Sequence, residues 1–148
     1  MLVHDDLFES TADLLVVTTN ASLDRSGDAV MGRGAAKEAV RRWPWLRRGL
    51  GNHIRGLGGK LYGFLAFETR EGDSAQLGCF QVKMEFHERA RLDIIRISMK
   101  GLLDYVEEAG ISAALNFPGI GAGRLSREEV APVIAELLEH ERIFVHEK

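Results

Sequence analysis

The feature that most constrains this chain is a pattern that occurs twice: a short apolar run, a glycine-rich segment, then helix-forming residues. Leu14 to Thr19 reads LLVVTT and stops at Asn20. A run that is short, β-branched and without polar alternation suits a central strand covered on both faces, which requires helices on either side of a sheet. Glycines follow between Gly27 and Gly34, and then Ala35 to Arg42 (AAKEAVRR), which is helical by propensity and must end before Trp43-Pro44. The second instance runs from Ser112 to Phe117 (SAALNF), through Pro118 and the segment Gly119-Ile120-Gly121-Ala122-Gly123, to Ser126-Arg127-Glu128-Glu129. That last phrase has the form of a capping box ahead of a helix from Val130 to Leu138.

The remaining elements complete an alternating order. A short helix is expected through Leu46 to Ile54. The stretch Gly49 to Gly59 (GLGNHIRGLGG) is also glycine-rich enough to read as a mobile connection. Leu61 to Thr69 and Gln76 to Val82 read as two strands joined through a turn at Gly72-Asp73. Leu92, Ile95, Met99, Leu102, Leu103 and Val106 recur at helical spacing, and Gly110 suits the C-terminal cap. Arg142 to His146 closes the chain as a last strand. Strands alternating with helices imply an α/β sandwich with partly parallel strands, whose sites lie beyond the carboxyl ends of the strands.

Composition narrows the function classes. The 148 residues suit one domain, and 19 Lys+Arg against 22 Asp+Glu give a net charge of -3, so no overall basic character argues for a protein that grips nucleic acid. A local basic patch is still compatible with that total. The single cysteine, Cys79, excludes an internal disulfide and sits in an apolar run, which reads as a buried small hydrophobe. His4, His53, His87, His140 and His146 show no metal-ligand spacing with Cys79, so no metal is expected. The acidic start MLVHDDLFES is unlike a secretory leader and no apolar run reaches spanning length, giving an expectation of a cytoplasmic protein with no membrane association.

Two glycine loops, each between a strand and a helix, suit a phosphate ligand. Glycine lets backbone N–H groups approach phosphate oxygens, and a helix start adds unpaired donors. Two such loops together would clasp a diphosphate. Neither matches a mononucleotide P-loop, because no Gly-Lys-Ser/Thr closes it, and neither has the full dinucleotide fingerprint.

On these residues the chain resembles the macro domain, an ADP-ribose-binding module. The resemblance rests on Asp6-Leu7 after a first short strand, on DLLVVTTN (Asp13 to Asn20), on VMGRGAA (Val30 to Ala36) and on PGIGAGRLSREEV (Pro118 to Val130). It spans nearly the whole chain in the right order. Within that family the chain is most similar to the branch of terminal ADP-ribose glycohydrolases and DNA-ADP-ribosyl glycohydrolase antitoxins, where a phrase like VMGRGAA occurs and a lysine follows a Phe-Pro-Thr-like tripeptide. Phe80-Gln81-Val82-Lys83 stands at that place here.

The resemblance implies a single three-layer α/β/α domain over residues 1–148 with a mixed sheet, a hydrolase that removes ADP-ribose from a modified protein or nucleic acid, and no cofactor. It assigns Asp6 to the adenine amino group and the Leu7 backbone to the ring edge; by residue type alone Asp6 reads as a turn or cap residue. Asn20 would bond the distal ribose. Met31, Gly32 and Gly34 would line the ligand from one side, and Ile120, Gly121, Ala122 and Gly123 from the other. Arg124 would add a charged contact to phosphate, or else be a surface arginine near a helix start. Phe144 reads as a core aromatic, or as a neighbour of adenine. Lys83 would attack the anomeric carbon of the distal ribose, which needs a neutral amine and so desolvation or a nearby cation.

The chain also departs from the branch. Gln81-Val82 replaces Pro-Thr, Phe86 or His87 stands where a tryptophan is common, and Arg124-Leu125-Ser126-Arg127 occupies the place of an assisting acid. Glu85, Glu128 or Glu129 would have to substitute for that acid. The competing readings are a non-catalytic ADP-ribose reader or sequestering module, an ADP-ribose 1''-phosphate phosphatase using Arg124, and an interaction domain with no ligand. Oligomeric state is not legible in the sequence.

Overall fold

A computed structural model describes residues 1–68, 72 and 76–147. Six strands form one mixed sheet: β1 (Leu2–Val3), β2 (Leu14–Thr19), β3 (Phe64–Phe67), β4 (Gln76–Gln81), β5 (Ala113–Asn116) and β6 (Ile143–His146). Their spatial order is β1-β6-β5-β2-β4-β3, with every neighbouring pair parallel except β3 against β4. The expected central strand is central: β2 pairs with β5 on one side and β4 on the other.

Strand alternation sorts β2 into two cores. Leu14 and Val16 join the cluster under α3 (Leu92–Ala109), α4 (Arg127–Val130) and α5 (Ala135–Glu139); Leu15 and Val17 join the cluster under α1 (Gly34–Arg42) and α2 (Trp45–Arg55). A strand apolar on both faces therefore lies between two helical layers, and the architecture is the three-layer α/β/α sandwich expected from the sequence. Cys79 is fully buried in the second cluster, as its apolar neighbours imply.

Three element expectations need correction. The first half of the glycine-rich stretch, Gly49 to Arg55, is not a connection, because α2 runs through it and only Gly56 onward leaves the helix. Glycine at 51 answers a close approach: a Cβ there would collide with the backbone of Gly27 and Asp28. The helix from Val130 to Leu138 is two short helices, since Pro132 has no N–H to continue the first. The strand Leu61 to Thr69 is shorter, because Tyr62 and Gly63 turn their N–H groups to the Gln81 side chain. The antiparallel partnership of that strand with β4 is present, while Thr69 and Asp73, parts of the expected strand end and turn, lie outside the described residues. The Ser126 capping box and the left-handed Gly110 cap (φ 65°) are both formed.

Candidate functional site

The parallel strands β2, β4 and β5 all end on the same edge of the sheet, and there the chain leaves a cavity of about 720 Å³. The first glycine loop walls one side. Asn20 closes β2 and holds this loop in place: its Nδ2 donates to the Val30 carbonyl and its Oδ1 accepts from Ser22 N–H. The amide expected to reach a ribose is thus partly engaged in shaping the loop. Met31 is buried and faces both the core and the cavity. Gly32 is exposed with open space where a Cβ would stand, and Gly34 starts α1 at φ 56°, a conformation that favours glycine. The start of α1 therefore forms part of the cavity wall.

The second loop walls the other side through Ile120, Gly121, Ala122 and Gly123. Gly119 and Gly121 have φ of 83° and 68°, and Gly123 packs so closely on Ala90 that a Cβ would approach it to 2.9 Å. Arg124 follows at φ 64°, the one described non-glycine residue in the left-handed region. Its guanidinium lines the cavity and donates to the His87 carbonyl at 2.9 Å. The Ala90 N–H donates to the Gly123 carbonyl, and this bond also joins the second loop to the segment after β4.

Lys83 enters the cavity from the end of β4. It is 7% exposed, and its Nζ donates to the Ala122 carbonyl at 3.3 Å. Burial lowers its pKa below the ordinary lysine value; Arg124 and Arg33 lower it further, and Glu88 opposes them. Both physical causes expected for an activated lysine are present at this residue.

The charge of the cavity is one-sided. Arg33, Lys83 and Arg124 line it together with His87, and no Asp or Glu is among its described lining residues. The three proposed replacement acids are committed elsewhere. Glu85 accepts from Lys60 and Ser22, Glu129 belongs to the capping box and pairs with Arg89, and Glu128 is exposed in the first turn of α4. Such a cavity favours an anion and offers little to a cation.

Ten of the twelve residues expected at the site meet in this one cavity. Asp6 and Leu7 do not. The Asp6 carboxylate accepts from Phe8 N–H and caps a short 3-10 turn, and it lies on a second depression of about 510 Å³ with Phe144 and His146. Phe144 is half-buried there and is no core residue. Leu7 is buried in the same apolar cluster as Met31 and Ala36 and lines neither depression, and its carbonyl accepts from Ser10 N–H.

Sequence reasoning missed Thr18, Thr19 and Asn116, although all three sit at carboxyl ends of strands, the position that should have selected them. Asn116 ties β5 to β2 by accepting from Thr18 N–H and donating to Thr18 Oγ1. Arg33 was passed over between its two glycines, and exposed Phe86 and His87 stand at the rim. No group of three or more His, Cys, Asp or Glu among the described residues could hold a metal.

No family model and no curated protein sequence matches the chain. Solved structures do. The macrodomain of Thermus aquaticus DarG is 24% identical with a TM-score of 0.82, covering 99% of this chain and 97% of its own. The macrodomain of Mycobacterium tuberculosis DarG is 22% identical with a TM-score of 0.79, over 100% and 99% of the two chains. Thermosipho africanus DarTG in complex with ADP-ribose is 20% identical with a TM-score of 0.84, covering 98% of this chain and 40% of that one. With this sheet order, these layers and these neighbours, the chain has the macrodomain fold.

Proposed function

We propose that the cavity binds ADP-ribose and that the protein is a hydrolase removing ADP-ribose from a modified macromolecule, protein or nucleic acid, with Lys83 as nucleophile. The observation that carries the reading is the convergence of two glycine loops, two arginines and a buried lysine on one cavity with no Asp or Glu among its described lining residues. The backbone N–H groups of Gly32 to Gly34 and Gly121 to Gly123, with Arg33 and Arg124, would hold the diphosphate. Adenine would extend toward Asp6 and Phe144. That places the distal ribose beside Lys83.

In this reading the neutral Lys83 amine forms a bond to the anomeric carbon while the bond to the macromolecule breaks, its electron pair leaving with the macromolecule, which gains a proton. Water then displaces the amine and releases ADP-ribose. Burial and the two arginines shift Lys83 toward the uncharged amine that the first step needs. The test is incubation of ADP-ribosylated protein and ADP-ribosylated DNA with the wild type and Lys83→Ala. Loss of label with the wild type alone supports the reading; loss with neither protein, or equally with both, contradicts it.

The missing carboxylate favours a second reading, a non-catalytic reader or sequestering module for ADP-ribose. It predicts tight ligand binding with no loss of label from either substrate. The cation Arg124 also suits an ADP-ribose 1''-phosphate phosphatase, which phosphate release from that compound tests.

A further inference from the structure

The last residue of β4, two positions before Lys83, is a buried polar side chain. Gln81 is 0% exposed, yet each of its polar atoms is engaged. Its Oε1 accepts from Tyr62 N–H at 2.8 Å and Gly63 N–H at 3.0 Å. Its Nε2 donates to the Lys60 carbonyl at 2.7 Å and to the Lys83 carbonyl at 3.2 Å. The Gln81 carbonyl in turn accepts from Ser98 Oγ on α3 at 2.6 Å.

The segment gripped by Gln81 is itself fixed to the first loop. Tyr62 Oη donates to the Asn20 carbonyl at 2.6 Å, and Lys60 pairs with Glu85 at 2.5 Å. Past the lysine, the Met84 carbonyl accepts from Ala21 N–H at 2.7 Å, and Ser22 Oγ accepts from Phe86 N–H at 2.8 Å. The backbone at Lys83 is therefore held from three sides, and the amide of Gln81 is the part of this frame that touches Lys83 itself.

We propose that Gln81 is the positioning residue for Lys83: it ties the Lys83 carbonyl to the segment 60–63 and so directs the lysine side chain into the cavity between Arg33 and Arg124. This rests on the reading of Lys83 as the nucleophile. A buried primary amide suits the task because it offers acceptors and donors on opposite edges, and it joins two N–H groups to two carbonyls that a strand end would otherwise leave unpaired. A proline at this position, as in the family phrase that the chain departs from, would supply no such side-chain bond.

The test compares wild type, Gln81→Met and Gln81→Glu for ADP-ribose affinity by calorimetry, for kcat and KM on an ADP-ribosylated substrate, and for the NMR titration of the Lys83 amine. Gln81→Met removes both edges. Gln81→Glu keeps the acceptors for Tyr62 and Gly63 and loses the donors, so it retains half of the frame if the first variant does not fold. In the folded variants kcat falls by about tenfold to a hundredfold, ADP-ribose affinity stays within about twofold, and Lys83 titrates closer to the other lysines. Unchanged kcat and unchanged Lys83 titration in a folded variant overturn the proposal. If the wild type hydrolyses no substrate, the parent reading fails, while the titration still decides whether Gln81 sets the environment of Lys83.

Discussion

Lys83 Nζ donates to the carbonyl oxygen of Ala122 at 3.3 Å, which joins the end of β4 to the second glycine loop across the cavity. A neutral amine can keep this bond and still carry a lone pair, so the contact orients the lysine without requiring its charge. Burial first, and then Arg124 and Arg33, hold its pKa below the ordinary lysine value.

Activity should therefore rise with pH as Lys83 loses its proton and level off at a pH below the ordinary lysine range, measured as a kcat profile on an ADP-ribosylated substrate. Stability carries the matching sign. A lysine whose folded pKa is lowered binds fewer protons folded than unfolded, so its contribution is unfavourable below the folded value and recovers as pH rises toward the unfolded one. Lys83→Met should remove that increment, giving a protein that is more stable than wild type near neutral pH and no more so at high pH. Denaturant unfolding of both proteins across pH checks it.

Gly32→Glu should abolish ligand binding and leave the fold intact. The glycine is exposed, its φ is not left-handed, and a Cβ meets nothing within 4 Å. The new carboxylate would face the diphosphate in a cavity whose described lining holds no other acid. Like charges in such a site cost several kcal/mol, roughly a hundredfold or more in affinity. Circular dichroism and calorimetry separate the two effects.

Arg124→Gly should leave stability within about 1 kcal/mol of wild type, because relief of the left-handed backbone at φ 64° offsets the lost bond to the His87 carbonyl. ADP-ribose affinity should fall in this variant. Arg124→Lys, which keeps the charge and the left-handed backbone, should retain part of the affinity and be no more stable than Arg124→Gly.

Cys79 should resist alkylation in the native protein. Burial pushes its thiol up to about 12, leaving almost no thiolate at neutral pH. Labelling should appear together with unfolding in denaturant; rapid labelling without denaturant would contradict the packing of β4.

The layers were legible because Leu14 to Val17 of β2 are apolar on both faces, and because Ser126 with Glu129 and the glycine at 110 carry their own capping chemistry. The glycine loops were legible for the same reason, since their residues make local backbone demands. What the sequence hid depends on distant partners. Gln81 looks like a departure from a family phrase until its contacts with the segment 60–63, some twenty residues earlier, are visible. Asp6 carries a local cap as well as its place on the second depression, and residue type cannot separate the two. Gly49 and Gly51 suggest a loop by composition, yet α2 passes through them, with Gly51 fitting close against the backbone near Gly27.

The measurement that tests the central claim most directly is calorimetric titration of the wild-type protein with ADP-ribose, alongside Gly32→Glu. Saturable one-to-one binding by the wild type, lost in the variant, is the expected result. No heat from the wild type at millimolar ADP-ribose, or equal binding by both proteins, would contradict the assignment of the cavity between the two glycine loops.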